Sequence, residues 1–150
     1  MSRLTYRAAT ADDLPFIVNQ IVEDSVVDAD DDPQAIEQYL PALAAIDADP
    51  NQELLIAEYK GERVGSMQLS YLPGIARRGQ WRGLIEAVHI RPESRNLGLG
   101  SEMIGEAITR CRTHGCGVVQ LTSNKKRIDA HRFYRKLGFA QSHEGFKLTL

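Results

Sequence analysis

Apolar positions along this chain follow two periods, one suited to strands and one to helices, and the two alternate. Residues 4–8 predict a short first strand. Thr10 then stands as a helix N-cap, with Asp12 and Asp13 in the first turn and Leu14, Ile17, Ile21 and Val22 as the buried stripe. A charged interruption over 28–33 leads to Pro33, well placed to open a second helix carrying Ile36, Tyr39, Leu40, Leu43 and Ile46. Pro41 inside that pattern predicts a kink or a split into two short helices. Segments 53–59 and 64–71 read as strands joined by a hairpin turn at 60–63, and a basic loop over 73–83 follows, with Arg77, Arg78, Trp81 and Arg82. A β-branched apolar run at 84–90 predicts the next strand. A helix from about 98 to 114, a strand at 118–123 and a helix around 129–137 come after it. Two short strands near 139–141 and 146–148 would finish the chain. The order β-α-α-β-β-β-α-β-α-β-β is that of a mixed α/β protein. No repeat or linker marks a second domain, so residues 1–150 read as one.

The chemistry concentrates where the 84–90 strand meets the following helix. Between them stand Pro92 and then Arg95, Asn96, Leu97, Gly98, Leu99 and Gly100, with Ser101 opening the helical pattern. A strand feeding a glycine loop that opens a helix can hold phosphate. The first helical N–H groups lack partners in the helix, and the macrodipole places positive partial charge there. Glycine lets backbone approach the ligand, and Arg95 adds a fixed charge. The dinucleotide pattern G-x-G-x-x-G fails because Met103 occupies the third glycine position, and no Gly-Lys-Ser or Gly-Lys-Thr of a P-loop occurs.

What remains, R-x-x-G-x-G after a strand, resembles the acyl-CoA-binding motif of the GNAT superfamily of N-acetyltransferases. Further on, a strand ending at Asn124 precedes Ala130, His131, Arg132, Phe133, Tyr134, Arg135, Lys136, Leu137, Gly138 and Phe139. This is similar to the family's pattern of Asn, Ala, Phe-Tyr, a basic residue and Gly-Phe. The resemblance implies the acyl-CoA N-acyltransferase fold, a mostly antiparallel twisted sheet flanked by helices, with acetyl-CoA as the acetyl source. It implies that the backbone of Val88, His89 and Ile90 meets the pantetheine arm, and that Arg95, Asn96, Leu97, Gly98, Leu99, Gly100 and Ser101 bind the diphosphate. Asn124 and His131 fall at further cofactor positions. Five residues, including Lys125, Lys126 and Arg127, separate Asn124 from Ala130, more than the family's spacing.

Acetyl transfer to an amine sets two proton problems. An alkylamine with a pKa near ~10.4 costs roughly 4–5 kcal/mol to deprotonate at pH 7, and the departing thiolate (pKa about 8.5) needs a proton back. A tyrosine with a pKa of about 10 can return it roughly 2 kcal/mol uphill. The resemblance places Tyr134 near the thioester sulfur, against the plain alternative of an amphipathic helix residue. Glu86 is the candidate base, in a strand where some small-amine members of the family carry a glutamate acting through water. Burial there would desolvate its carboxyl. The alternatives for Glu86 are a solvated edge residue or an ion pair with a nearby arginine. His89 is a rival base. Strand alternation puts it on the face opposite Glu86 unless a bulge intervenes, and a core or surface histidine is the plainer reading.

Composition narrows the partners. With 43% hydrophobic and 25% charged residues and a net charge of −2, the chain reads as an ordinary globular protein with no nucleic-acid footprint. No run approaches the ~18 apolar residues of a membrane span, and Cys111 and Cys116 fit neither a disulfide framework nor a zinc pattern, so a cytoplasmic protein without a metal is expected. The expected acceptor is the primary amine of a small molecule or peptide, and a homodimer is allowed because dimers are common among proteins resembling this one. Asp28, Asp30, Asp31 and Asp32 lie where such proteins cover the acceptor, and a solvated loop is the default. The rival classes are a non-catalytic acyl-CoA sensor and an enzyme acetylating protein or tRNA.

Overall fold

The computed structural model describes residues 2–26 and 30–150, so Asp28 lies outside the described residues. Five strands form one sheet in the order β1-β2-β3-β4-β5: β1 (Leu4–Ala8), β2 (Gln52–Tyr59), β3 (Glu62–Leu72), β4 (Trp81–Ile90) and β5 (Cys116–Leu121). The first four are antiparallel and β5 runs parallel to β4. Helices α1 (Leu14–Asp24) and α2 (Leu40–Ala48) precede β2. A short turn, α3 (Ala76–Gly79), joins β3 to β4, and α4 (Leu99–Thr113) and α5 (Ile128–Lys136) flank β5 in sequence.

Local sequence accounts for the boundaries. Thr10 caps the turn that leads into α1, and its backbone N–H donates to Asp13 Oδ2 at 2.8 Å. The second helical region is split, as Pro41 requires: a 3₁₀ turn at Ile36–Tyr39 gives way to α2, in which Pro41 occupies the first turn, where no N–H is needed. The β2–β3 hairpin is tighter than the 60–63 turn expected, since Lys60 and Gly61 alone make it with φ of 52° and 80°.

The sheet's two faces differ. On one, Leu55, Met67, Leu69 and Ile85 pack beneath Leu99, Met103, Ile104 and Ala107 of α4. On the other, Leu54 and Ile56 meet Phe16, Ile17 and Ile21 of α1. That second face turns polar toward β4, where Ser66 and Gln68 of β3 stand opposite His89 and Glu86.

One expectation fails. The strands predicted at 139–141 and 146–148 do not form: residues 139–150 carry no regular structure. Their alternating pattern suits a strand, but residues 140–150 make no backbone hydrogen bond to any strand among the described residues. The sheet therefore ends at β5.

Candidate active site

The site begins where two parallel strands part. Pairing between β4 and β5 ends at Ile85 opposite Leu121, while β4 continues to Ile90. Among the described residues no strand pairs with 86–90 on the β5 side, and a gap opens in the sheet. Ser123 Oγ, just past the end of β5, is buried with no hydrogen-bond partner among the described residues. An unpaired strand edge beside an orphaned hydroxyl suits an extended ligand carrying amides, as a pantetheine arm does.

Ala87 takes φ +49° and the β3–β4 register shifts between Ser66 and Gln68, so this part of β4 is bulged. Glu86 pairs with Gln68 and His89 with Ser66, two residues apart on β3, which puts both side chains on the α1 face. The expected opposite placement of His89 is therefore corrected: the bulge resets the alternation. Val88 and Ile90 turn to the other face and pack against the α4 core. The Glu86 carboxylate is exposed and makes no ion pair or side-chain hydrogen bond with the described residues, so the burial argued from sequence is absent. His89 is buried, and its Nδ1 lies 2.7 Å from Asp24 Oδ2 at the end of α1. With Nδ1–H donating to that carboxylate, a neutral His89 keeps its lone pair on Nε2.

At the top of the gap the loop 95–98 leads into α4. Asn96 and Gly98 both have positive φ (64° and 77°), and Gly98 is the N-cap of α4, an easy conformation for glycine alone. The side chain of Leu99 is buried in the core, leaving its amide with those of Gly100 and Ser101 at the helix start. Leu97 is exposed, and Gly100 faces the ring of Phe133. Arg95 bends back over the strand: Nε donates to the Ile90 carbonyl at 3.0 Å and Nη2 to Asp24 Oδ1 at 2.6 Å. Arg3 was not visible as a site residue in the sequence, 94 positions from its partner. Its Nη2 donates to the Leu97 carbonyl at 2.7 Å while Glu102 holds its Nε at 2.7 Å.

On the α4 side, Tyr134 sits edge-on to Phe133 (5.2 Å between centroids) and Phe139 (5.8 Å). Burial pushes its phenol up, against a smaller opposing pull from Arg127. Asn124 and His131 are engaged with each other's loop. Asn124 Oδ1 accepts from the Lys126 amide at 2.9 Å, and the Asn124 carbonyl lies 2.8 Å from His131 Nε2. These contacts close the turn into α5. Lys125, Lys126 and Arg127 are exposed around it. On the α1 face, Gln20 was also missed: its Oε1 accepts from Ser66 Oγ at 3.0 Å, and its buried Nε2 has no partner among the described residues.

The gap, the glycine turn and the helix N-terminus together fit an acyl thioester with a long, diphosphate-bearing carrier. The comparisons agree. The family model for the acetyltransferase (GNAT) family matches residues 17–139. An aminoalkylphosphonate N-acetyltransferase of Salmonella typhimurium is 32% identical over 114 residues, covering 76% of this chain and 73% of that protein. A glucosamine 6-phosphate N-acetyltransferase of Trypanosoma brucei brucei is 37% identical over 90 residues, 60% of this chain and 59% of that protein. A crystal structure described as a transcriptional regulator from Bacillus halodurans C-125 superposes with a TM-score of 0.89 at 37% identity, covering 98% of this chain and 99% of that one. The chain belongs to the acetyltransferase (GNAT) family. It is an N-acetyltransferase, and its acetyl donor is acetyl-CoA. Among the described residues no helix is long and apolar enough to cross a membrane.

Proposed function

We propose that this enzyme acetylates the primary amine of a small molecule by direct attack, with amine and acetyl-CoA bound together on opposite sides of the sheet. The observation that carries the reading is the parting of β4 from β5 after Ile85 and Leu121, which joins the α1 face to the α4 face. Glu86 stands on the first face and Tyr134 on the second.

Acetyl-CoA supplies an activated acyl carbon. Around it, the residues do the rest. The amides opening α4, with Arg95 and Arg3 at the loop, hold the diphosphate. The free backbone of residues 88–90 holds the carrier arm. Glu86, through water, takes a proton from the ammonium on the α1 face. The amine nitrogen bonds to the acyl carbon as its C–S bond breaks, its remaining surplus proton passes through water to restore the Tyr134 phenol, and the Val88 amide donates to the carbonyl oxygen as charge gathers there. Tyr134 returns a proton to the sulfur.

The acceptors named for the two relatives each combine an amine with a phosphorus oxyanion. Arg82, Leu84 and Glu86 alternate onto one face of β4, and no ion pair engages Arg82 among the described residues. We assign Arg82 to the anionic end of such an acceptor. Thiol release from acetyl-CoA tests this across amines with and without a phosphate or phosphonate. A preference for the anionic amines, lost in Arg82→Ala, is expected. CoA binding without turnover on any amine would favour a sensor instead.

A further inference from the structure

Asp24 is the last residue of α1, where the helix dipole disfavours a carboxylate, and the last turn holds no basic residue to answer it. Its side chain is nevertheless only 14% exposed. The two oxygens are divided between two parts of the site, 65 and 71 positions away in the chain. Oδ2 accepts from His89 Nδ1–H at 2.7 Å, on the sheet face that also carries Glu86. Oδ1 accepts from Arg95 Nη2 at 2.6 Å, in the loop before α4. One carboxylate thus touches both the acceptor face and the diphosphate loop.

Each contact leaves a ligand-binding atom over. With Nδ1–H committed to Asp24, His89 presents Nε2 as an acceptor, and that atom bonds to none of the described residues. An acceptor nitrogen on this face suits the N–H of an ammonium. Arg95 spends Nε on the Ile90 carbonyl at 3.0 Å and Nη2 on Asp24, which leaves Nη1 for a ligand. Its side chain is 46% exposed. Ser66, opposite His89 on β3, and Gln20, which is bonded to Ser66, are uncharged. The charge felt behind the imidazole is therefore set by Asp24 and Arg95.

We propose that Asp24 is a positioning residue through which acetyl-CoA occupancy is felt at the acceptor amine. The inference rests on the placement given above, with the amine on the α1 face and the diphosphate at the start of α4, and adds the link between them. Without cofactor, Arg95 offsets the charge of Asp24. A bound diphosphate draws on the same guanidinium, and the carboxylate loses that offset. An ammonium on His89 Nε2 then binds more tightly, because net negative charge stands behind the ring. Asp24 also fixes the tautomer, so that Nε2 keeps its lone pair for the amine. By reciprocity the amine tightens CoA by the same factor.

Calorimetry with CoA, which carries no acetyl group to transfer, measures the coupling. The amine is an aminoalkylphosphonate or glucosamine 6-phosphate, whichever the parent enzyme acetylates. In the parent, saturating CoA should tighten the amine about fivefold or more.

The two halves of the link can be cut separately, with opposite signs. Asp24→Asn keeps the size and removes the charge. The amine should then bind about tenfold more weakly, equally with and without CoA, and its KM should rise while kcat changes less. Arg95→Gln leaves the Asp24–His89 contact and removes the offset. CoA weakens, but the amine should bind the CoA-free variant as tightly as it binds the CoA-loaded parent. A merely structural role for Asp24 would not reverse sign between the variants. Arg95→Gln, at a half-exposed side chain, keeps the test decisive if Asp24→Asn does not fold. Absence of coupling in the parent overturns the proposal. So does coupling that persists in Asp24→Asn, or amine affinity that falls in Arg95→Gln. A parent enzyme that acetylates neither compound overturns the acceptor reading instead, and the inference falls with it.

Discussion

Glu86 and His89 share one face of the sheet although they stand three positions apart on the same strand. The bulge at Ala87, with φ +49°, makes this possible. A non-glycine residue in that region costs on the order of 1–2 kcal/mol, which the surrounding sheet must hold in place. The gain is two proton acceptors beside the gap on the face where α1 supplies Asp24 and Gln20.

These acceptors can be separated. Glu86→Gln removes the proposed base without changing size, and kcat should fall about a hundredfold while the affinity for CoA by calorimetry holds steady. His89→Gln should act differently. It breaks the 2.7 Å contact with Asp24, so stability should drop by about 1–2 kcal/mol and KM for the amine should rise more than kcat falls. If Glu86→Gln turns over like the parent enzyme while His89→Gln is dead, the roles are reversed.

Tyr134→Phe keeps the ring against Phe133 and Phe139 and deletes only the hydroxyl. We expect kcat to fall about a hundredfold or more with CoA binding intact. Because burial pushes the phenol up, Tyr134 keeps its proton through the whole neutral and mildly alkaline range. The parent's kcat should therefore show no descending limb between pH 7 and 9. Full activity in the phenylalanine variant would remove Tyr134 from the reaction.

The parts of this site that lie within one stretch of chain were legible in the sequence. The strand, the Gly98 turn and the α4 start are adjacent in the chain, and the glycines state their backbone requirement directly. The Thr10 cap and the Pro41 split are of the same kind. What could not be read is long-range or depends on register. Arg3 reaches Leu97 and Glu102 from the other end of the chain, and Asp24 meets His89 and Arg95 across the sheet. The bulge at Ala87 has no side-chain signature, so alternation alone sent His89 to the wrong face. The tail failed differently: its pattern is that of a strand, and a pattern cannot say whether a partner strand is present.

The glycine turn gives a prediction about binding alone. Gly98→Ala places a Cβ at φ +77°, costing about 1 kcal/mol, and 3.3 Å from Arg3 Nη2. The loop should relax away from the shape proposed to hold the diphosphate. The affinity for CoA should weaken roughly tenfold, which is about 1.4 kcal/mol, with kcat at saturating acetyl-CoA nearly unchanged. Arg3→Ala, which frees the Leu97 carbonyl, should weaken CoA in the same direction. Unaltered CoA affinity in both variants would show that the diphosphate lies elsewhere.

Acid stability should depend on Asp13. Its side chain is only 2% exposed, held by Arg7 at 2.7 Å and Arg63 at 3.2 Å, with the Thr10 amide at 2.8 Å. The Arg7 guanidinium, above all, keeps the carboxyl well below the usual carboxylate range, overcoming the opposing effect of burial. A carboxyl depressed on folding adds stability that is complete above its unfolded pKa of about 3.9 and is lost as pH falls from there through the folded value. Asp13→Asn should therefore lower stability at pH 7, by about 2 kcal/mol. That is less than a fully buried pair would lose, because both arginines are more than a third exposed. The deficit should shrink as the parent enzyme is acidified below pH 4, so the two melting curves converge. Parallel curves from pH 7 to pH 3 would show that Asp13 carries no such charge-dependent stability.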